Sequence, residues 1–255
     1  MPSATHRLTF AGLLAIALAS ALPASHEPPA GIPYPDALLL LNAGNRRFVA
    51  GESIHFQQDA LRRSETARNG QKPIAAILTC SDSRVPPEMI FDQGIGCLFV
   101  VRVAGNVAQI DEVASVEYAV NHLGARLVIV LGHTSCGAVT AVVDDAIAAP
   151  NLEKLVKPIS TAVAQVRSET PSLGGAQLLD ASIRANVAQS IADILRLSPS
   201  IALAVTRGQV LVLGAVYDLE SGTVQFLNNA AMAAPEPSPN EPAEEKAPSP
   251  PAAHH

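Results

Sequence analysis

The chain has 255 residues, 48% of them hydrophobic, with 17 basic against 23 acidic side chains and a formal charge of -6. That is apolar material enough for one large domain or two small ones; with no basic block, the charge offers nucleic acid no footing as a partner. Tryptophan is absent and aromatics make up only 4%, so helices packed on a parallel sheet fit the composition better than an aromatic-rich β sandwich.

In chain order, a short cationic start ending in Arg7 precedes an apolar run from Leu8 to Ala21, with an Ala-x-Ala site at Ala19-Ser20-Ala21 and Pro23 just beyond. This predicts a signal peptide over residues 1–24, cleaved near Ala21 or Ala24. The run is shorter than the roughly 20 residues of a membrane span, so no stable membrane anchor is expected after cleavage and the mature protein is expected to be periplasmic or secreted. An amphipathic helix follows from Gly31 to about Gly51, with Ala37, Leu38, Leu41 and Phe48 on its apolar face and Asp36 in the capping position. A weaker helical stretch runs to Asn69-Gly70.

Short apolar runs of strand type come next, at Ile74–Leu78, Cys97–Val101, Leu127–Leu131 and Val210–Val216, with helical patterns at Glu112–Leu123 and Gly137–Ile147. Residues Leu152–Leu197 read as helical, interrupted at Pro171 and Gly174-Gly175, and Val224–Leu227 reads as the second arm of a hairpin. The fold class is therefore α/β: a mostly parallel central sheet flanked by helices, with an antiparallel edge strand near the C-terminal end. A catalytic domain is expected over 31–230, followed by a disordered Pro/Glu/Ala-rich tail over 235–255.

Two polar clusters stand directly after strands, where ligands bind in open α/β sheets: Cys80-Ser81-Asp82-Ser83-Arg84 and His133-Thr134-Ser135-Cys136-Gly137. Three cysteines, Cys80, Cys97 and Cys136, are too few for a disulfide scaffold. A distant thiolate joined to His-x-x-Cys supplies the soft and borderline donors that suit tetrahedral zinc, and three protein ligands leave a fourth corner open, as a catalytic zinc requires. Alone, Asp82 and Arg84 would read as a surface ion pair; beside Cys80 they read as part of a site. Cys97, at the start of an apolar run, reads as a buried inert thiol.

These two motifs together resemble the signature of β-class carbonic anhydrases. Further matches are Asn45-Arg46-Arg47-Phe48, Val101-Arg102-Val103-Ala104-Gly105-Asn106, Glu117-Tyr118-Ala119-Val120 and Tyr217-Asp218-Leu219, so the resemblance covers roughly Pro35 to Leu227. It implies Zn2+ bound by Cys80, His133 and Cys136. Asp82 and Arg84 would then form a salt-bridged catalytic dyad in which Asp82 accepts a hydrogen bond from zinc-bound hydroxide as it attacks carbon dioxide to give bicarbonate. It further implies substrate contacts from Gln71, a donor to bicarbonate, and from Phe99 and Tyr118, an apolar wall contributed across a dimer interface. A homodimer or dimer of dimers is the implied assembly, with the Asn45-Arg46-Arg47 helix packed over the neighbour.

Within that family, a bicarbonate-inhibited subgroup carries Trp three residues and Gly one residue before the first zinc cysteine. Here those positions are Ile77 and Thr79, which implies the plant-like subgroup, without the noncatalytic bicarbonate site. Alternatives on the same zinc set are hydrolysis of carbonyl sulfide or carbon disulfide, which pocket access would decide, and a catalytically silent zinc-binding module, against which Asp82 and Arg84 argue. A thiol redox protein is disfavoured because no Cys-x-x-Cys is present.

Overall fold

The computed structural model describes residues 31–147 and 149–227; the expected leader over 1–24 and tail over 235–255 lie outside the described residues. Helix α1 (Tyr34–Ala50) opens on Pro33 as its cap with Pro35 in the first turn, where a missing N–H costs nothing. Asp36 therefore does not cap the helix; it sits inside the first turn, with its carboxylate near the positive end of the helix dipole. Gly51, at φ 71°, closes α1 in the left-handed conformation and donates to the Arg47 and Phe48 carbonyls. Asp59 caps α2 (Ala60–Asn69) by accepting from the Arg62 backbone N–H.

The five strands are β1 (Ala75–Thr79), β2 (Leu98–Arg102), β3 (Leu127–His133), β4 (Leu211–Tyr217) and β5 (Val224–Leu227), and the sheet order is β2-β1-β3-β4-β5. The first four strands are parallel and β5 pairs antiparallel with β4, the edge hairpin that the sequence pattern predicts. Between them lie α3 (Pro87–Ile90), α4 (Ile110–Asn121), α5 (Gly137–Val143), α6 (Pro150–Glu169), α7 (Gly175–Leu197) and α8 (Pro199–Thr206). The helical stretch breaks at the predicted Pro171 and Gly174-Gly175. Its periodicity hides α8, because Ser198 ends α7 and at once caps α8 by accepting from the Ile201 N–H.

Every residue of β1 and β3 is buried, and alternate side chains serve opposite faces. Ala76, Leu78, Val128 and Val130 pack with α4–α7, whereas Ala75, Ile77, Leu127, Ile129 and Leu131 pack with α1 and α3. Each large aliphatic side chain so buried stabilises the fold by about 1.5–3 kcal/mol. Helix α7 lies close to the sheet because two strand positions carry no side chain: a Cβ on Gly132 or on Gly214 would come within 2.7 Å of a Val187 methyl. That approach delivers α7 to the functional site.

The chain order reverses direction between β1 and β3, a topological switch point. The crevice outside the carboxyl ends of these two strands is where such sheets bind ligands.

Candidate metal centre

The ends of β1 and β3 are tied level by the Thr79 hydroxyl, which donates to the Leu131 carbonyl at 2.8 Å. Cys80 follows β1 immediately and His133 is the last residue of β3. Beyond His133 the Thr134 N–H donates to the Tyr217 carbonyl, and the Thr134 hydroxyl accepts from the Leu219 N–H. Ser135 then adopts a left-handed φ of 54°, a conformation costly for a side-chain-bearing residue and characteristic of functional turns. The turn re-aims the chain so that Cys136 becomes the cap of α5.

As a result the donor atoms of Cys80, His133 and Cys136 all lie within 4.8 Å of one another, and all three residues are buried. Tetrahedral coordination by two sulfurs and an imidazole needs separations of about 3.6–3.8 Å, so small side-chain shifts close the set around an ion. The tautomer of His133 follows from its surroundings. Its Nδ1 lies 2.9 Å from the Thr134 carbonyl, which can only accept, so Nδ1 carries the proton. Nε2 is left as a bare lone pair, fully buried and without a hydrogen-bond partner among the described residues. A core histidine normally satisfies both nitrogens; this one points its free nitrogen at two sulfurs, and the set fits a borderline-to-soft divalent metal.

The thiols are unequal. The Cys136 thiol donates to Cys80 and holds the Cys80 sulfur well below the ordinary thiol range against its own burial, helped by the backbone N–H groups of Gly105 and Asp82. Cys136 is pushed up, by that same bond and by burial.

Asp82 is gripped by Arg84 in a fork: Nε to Oδ1 at 2.9 Å and Nη2 to Oδ2 at 2.7 Å, with the Arg84 backbone N–H also on Oδ1 at 2.9 Å. The Arg84 hydrogen bonds hold the Asp82 carboxyl far below the usual carboxylate range. Arg102 does a second job that sequence reading did not assign to it, although the Val101–Asn106 motif contains it: its guanidinium donates to the Cys80 carbonyl at 3.2 Å and to the Asp82 carbonyl at 2.6 Å. The same motif places the Gly105 N–H 3.3 Å from Cys80 Sγ.

Gln71, Phe99 and Tyr118 stand elsewhere. Gln71 precedes β1 and Cys80 follows it; the five residues of that strand put about 16 Å between them at about 3.3 Å each. Phe99 pairs in register with Ala76, near the amino end of β1, and its ring lies 5.9 Å from that of Tyr118, which is 48% exposed. His122, a residue the sequence reading did not single out, lies 5.3 Å from the Tyr118 ring and shares a cavity of about 270 Å³ with Gln71. The three expected substrate residues therefore gather on one exposed face, away from the donor atoms of their own chain.

Asn45 and Arg47, expected to lie over a neighbour, are engaged inside the chain. Asn45 bridges the Ile90 and Gly222 carbonyls and the Val224 N–H, while Arg47 pairs with buried Asp92 at 2.6 Å. Cys97 is buried, with its thiol donating to Gln57 Oε1 at 3.3 Å. A cavity of about 480 Å³ between the start of α4 and helices α6 and α7 receives none of the donor residues.

Fold and site together describe an α/β protein with a Cys-His-Cys candidate metal centre at the switch point of its sheet. The profile of the carbonic anhydrase family matches residues 75–224. Carbonic anhydrase 2 of Mycobacterium tuberculosis is 37% identical over 186 residues, covering 71% of this chain and 87% of the relative. Among solved structures, the β-carbonic anhydrase CafA of Aspergillus fumigatus superposes with a TM-score of 0.60 at 28% identity, over 76% of this chain and 90% of that one. A β-carbonic anhydrase of Sordaria macrospora, described as tetrameric, gives 0.59 at 25% identity, over 67% and 92%. The chain belongs to the carbonic anhydrase family in its β class, and the protein is a carbonic anhydrase, a lyase acting on carbon dioxide.

Proposed function

We propose that the protein catalyses the reversible hydration of carbon dioxide to bicarbonate and a proton with zinc held by Cys80 Sγ, His133 Nε2 and Cys136 Sγ. The observation that carries the metal assignment is the bare, buried Nε2 of His133 set against two buried sulfurs. Held by these three residues, zinc would supply the Lewis acidity that makes a water nucleophilic near neutral pH. Asp82, its Oδ2 3.9 Å from His133 Nε2, is an acceptor-only group at the rim of the donor set. It takes a hydrogen bond from the attacking water and so selects the orientation in which a lone pair faces the substrate carbon. Arg84 keeps both carboxylate oxygens engaged, which holds Asp82 back from the metal position.

Ile77 and Thr79 are fully buried, with the Thr79 hydroxyl committed to Leu131, and they stand where the bicarbonate-inhibited subgroup has Trp and Gly. This supports the plant-like subgroup, without a second bicarbonate site. The grouping of Gln71, Phe99 and Tyr118 on a face remote from their own Cys80 supports a homodimer, or a dimer of dimers, in which one chain lends this wall to the metal centre of the other. The cationic start, apolar run and Ala-x-Ala site within residues 1–24 support a periplasmic or secreted location.

Stopped-flow carbon dioxide hydration on the zinc-loaded protein tests the reading, with Cys80→Ala and Asp82→Ala as controls. Full activity in Cys80→Ala would sink the metal assignment, and full activity in Asp82→Ala would sink the role of the dyad.

A further inference from the structure

We propose that Asn186 of α7 is a positioning residue for the metal centre, acting through the Gly105 turn on the sulfur of Cys80; this rests on the zinc reading above. Helix α7 packs on the sheet through Ile183, Val187, Ile191 and Ile194, yet the same buried side of the helix carries Ser182, Asn186 and Ser190 at four-residue spacing, each at most 1% exposed. Packing alone does not call for them, since a buried polar group is costly unless it finds a partner.

Two of the three reach far across the chain to one place. Asn186 Nδ2 donates to the Gly105 carbonyl at 2.8 Å, and Ser190 Oγ donates to the Asn106 carbonyl at 2.9 Å. These carbonyls belong to the single 3-10 turn Ala104–Asn106, which holds two successive left-handed residues, Gly105 at φ 72° and Asn106 at φ 46°. The second is not glycine, so the turn carries strain that its surroundings must offset. Its other face is already packed, because a Cβ on Gly105 would meet Ile159 Cδ1 at 2.5 Å and Ala138 Cβ at 3.1 Å.

The turn's contact with the site is the Gly105 N–H on Cys80 Sγ at 3.3 Å. An N–H on a ligating sulfur draws off part of its negative charge and fixes its direction, which is how groups behind the ligands tune a metal. Asn186 thus holds the carbonyl end of Gly105 so that the amide end stays aimed at Cys80. Ser182 lies on the same buried stripe and its hydroxyl makes no hydrogen bond among the described residues, so it serves as the internal control.

The test compares zinc-binding and cobalt-substituted forms of the full protein. Zinc affinity is measured by competition with a chromophoric chelator for wild type, Asn186→Leu, Ser190→Ala and Ser182→Ala, alongside the sulfur-to-cobalt charge-transfer absorption and the thermal midpoint of each. The expected result is an affinity loss of about 10- to 100-fold in Asn186→Leu, with a displaced charge-transfer band, a smaller change of the same sign in Ser190→Ala, and neither change in Ser182→Ala. A lowered thermal midpoint with unchanged affinity and unchanged band in Asn186→Leu overturns the proposal, and so does an equal affinity loss in Ser182→Ala. Should Asn186→Leu not fold, Ser190→Ala decides by the same two readouts. Wild-type zinc affinity reports on the site itself, whereas the variant-to-wild-type ratio reports on Asn186, so the two readings fail separately.

Discussion

Oδ2 of Asp82 stands 3.9 Å from Nε2 of His133 and 2.7 Å from Nη2 of Arg84. The longer distance is outside hydrogen-bond range, and His133 has its proton on the other nitrogen, so the carboxylate belongs to Arg84 and only borders the donor set. In the proposed zinc site, a carboxylate placed this way would orient a water without itself becoming a ligand. Asp82→Asn keeps the shape and removes the anionic acceptor. Its turnover for carbon dioxide hydration should fall by about 10²- to 10⁴-fold while zinc content, measured by plasma emission, stays at the wild-type level; loss of zinc in parallel would show Asp82 to be a ligand.

Arg84 decides where Asp82 titrates. Its hydrogen bonds depress the carboxyl below the ordinary 3.8, so the charged form and the stability tied to it are fully present above that value and are lost only as pH falls through the lower folded-state value. The carboxyl-carbon NMR signal of Asp82 should remain at its ionised position down to about pH 3 in the wild type. In Arg84→Ala it should titrate close to the ordinary value. A wild-type carboxyl that titrates near 4 would remove the ion pair from the argument.

Metal removal should destabilise the fold, since two buried sulfurs and the unpartnered Nε2 of His133 are left facing one another. Free zinc at about 1,000 times its dissociation constant adds about 4 kcal/mol to the native state. Calorimetry should show the melting temperature falling on treatment with dipicolinate and recovering when zinc is restored. In Cys136→Ser the chelator should have a much smaller effect.

Gly105→Ala combines a left-handed φ of 72° with a methyl driven to 2.5 Å from Ile159 Cδ1. Backbone strain and overpacking each cost about 1–3 kcal/mol. Urea denaturation should show a loss of that order or more; in an Ile159→Ala background, itself destabilised by about 2–5 kcal/mol, the added cost of Gly105→Ala should shrink to its backbone part.

Shared sites can be tested by mixing two inactive chains. If Gln71 serves the partner's metal centre, a hybrid dimer of Cys80→Ala and Gln71→Ala chains contains one centre with intact ligands and an intact glutamine. Co-refolding the two should then restore hydration activity above that of either alone. A site served by its own Gln71 would leave both centres of the hybrid defective, and mixing would restore nothing.

The parallel sheet and its antiparallel edge were legible because β1, β3 and β4 are short apolar runs separated by helical periods, and burial on both faces leaves no other pattern. Helices α3 and α8 were not: a single turn such as Pro87–Ile90 has no period to read, and α8 continues the apolar rhythm of α7 past a serine that serves both helices. Asp36 shows the limit of cap reading, since Pro33 and Pro35 set the start of α1 ahead of it.

By itself the sequence determined the kind of chemistry, because two thiols, an imidazole and an Asp-x-Arg pair next to strand ends are donor types that few other roles require together. Tertiary structure alone decided which atom of His133 is free, since that depends on the Thr134 carbonyl closing over Nδ1. It also decided that Arg102 and Asn186 support the loops behind Cys80, and that Gln71, Phe99 and Tyr118 stand apart from it. Asn186 meets Gly105 across 81 residues, and Gln71 parts from Cys80 by the length of one strand. Side-chain type is local information, whereas these relations arise only when strands and helices pack in three dimensions.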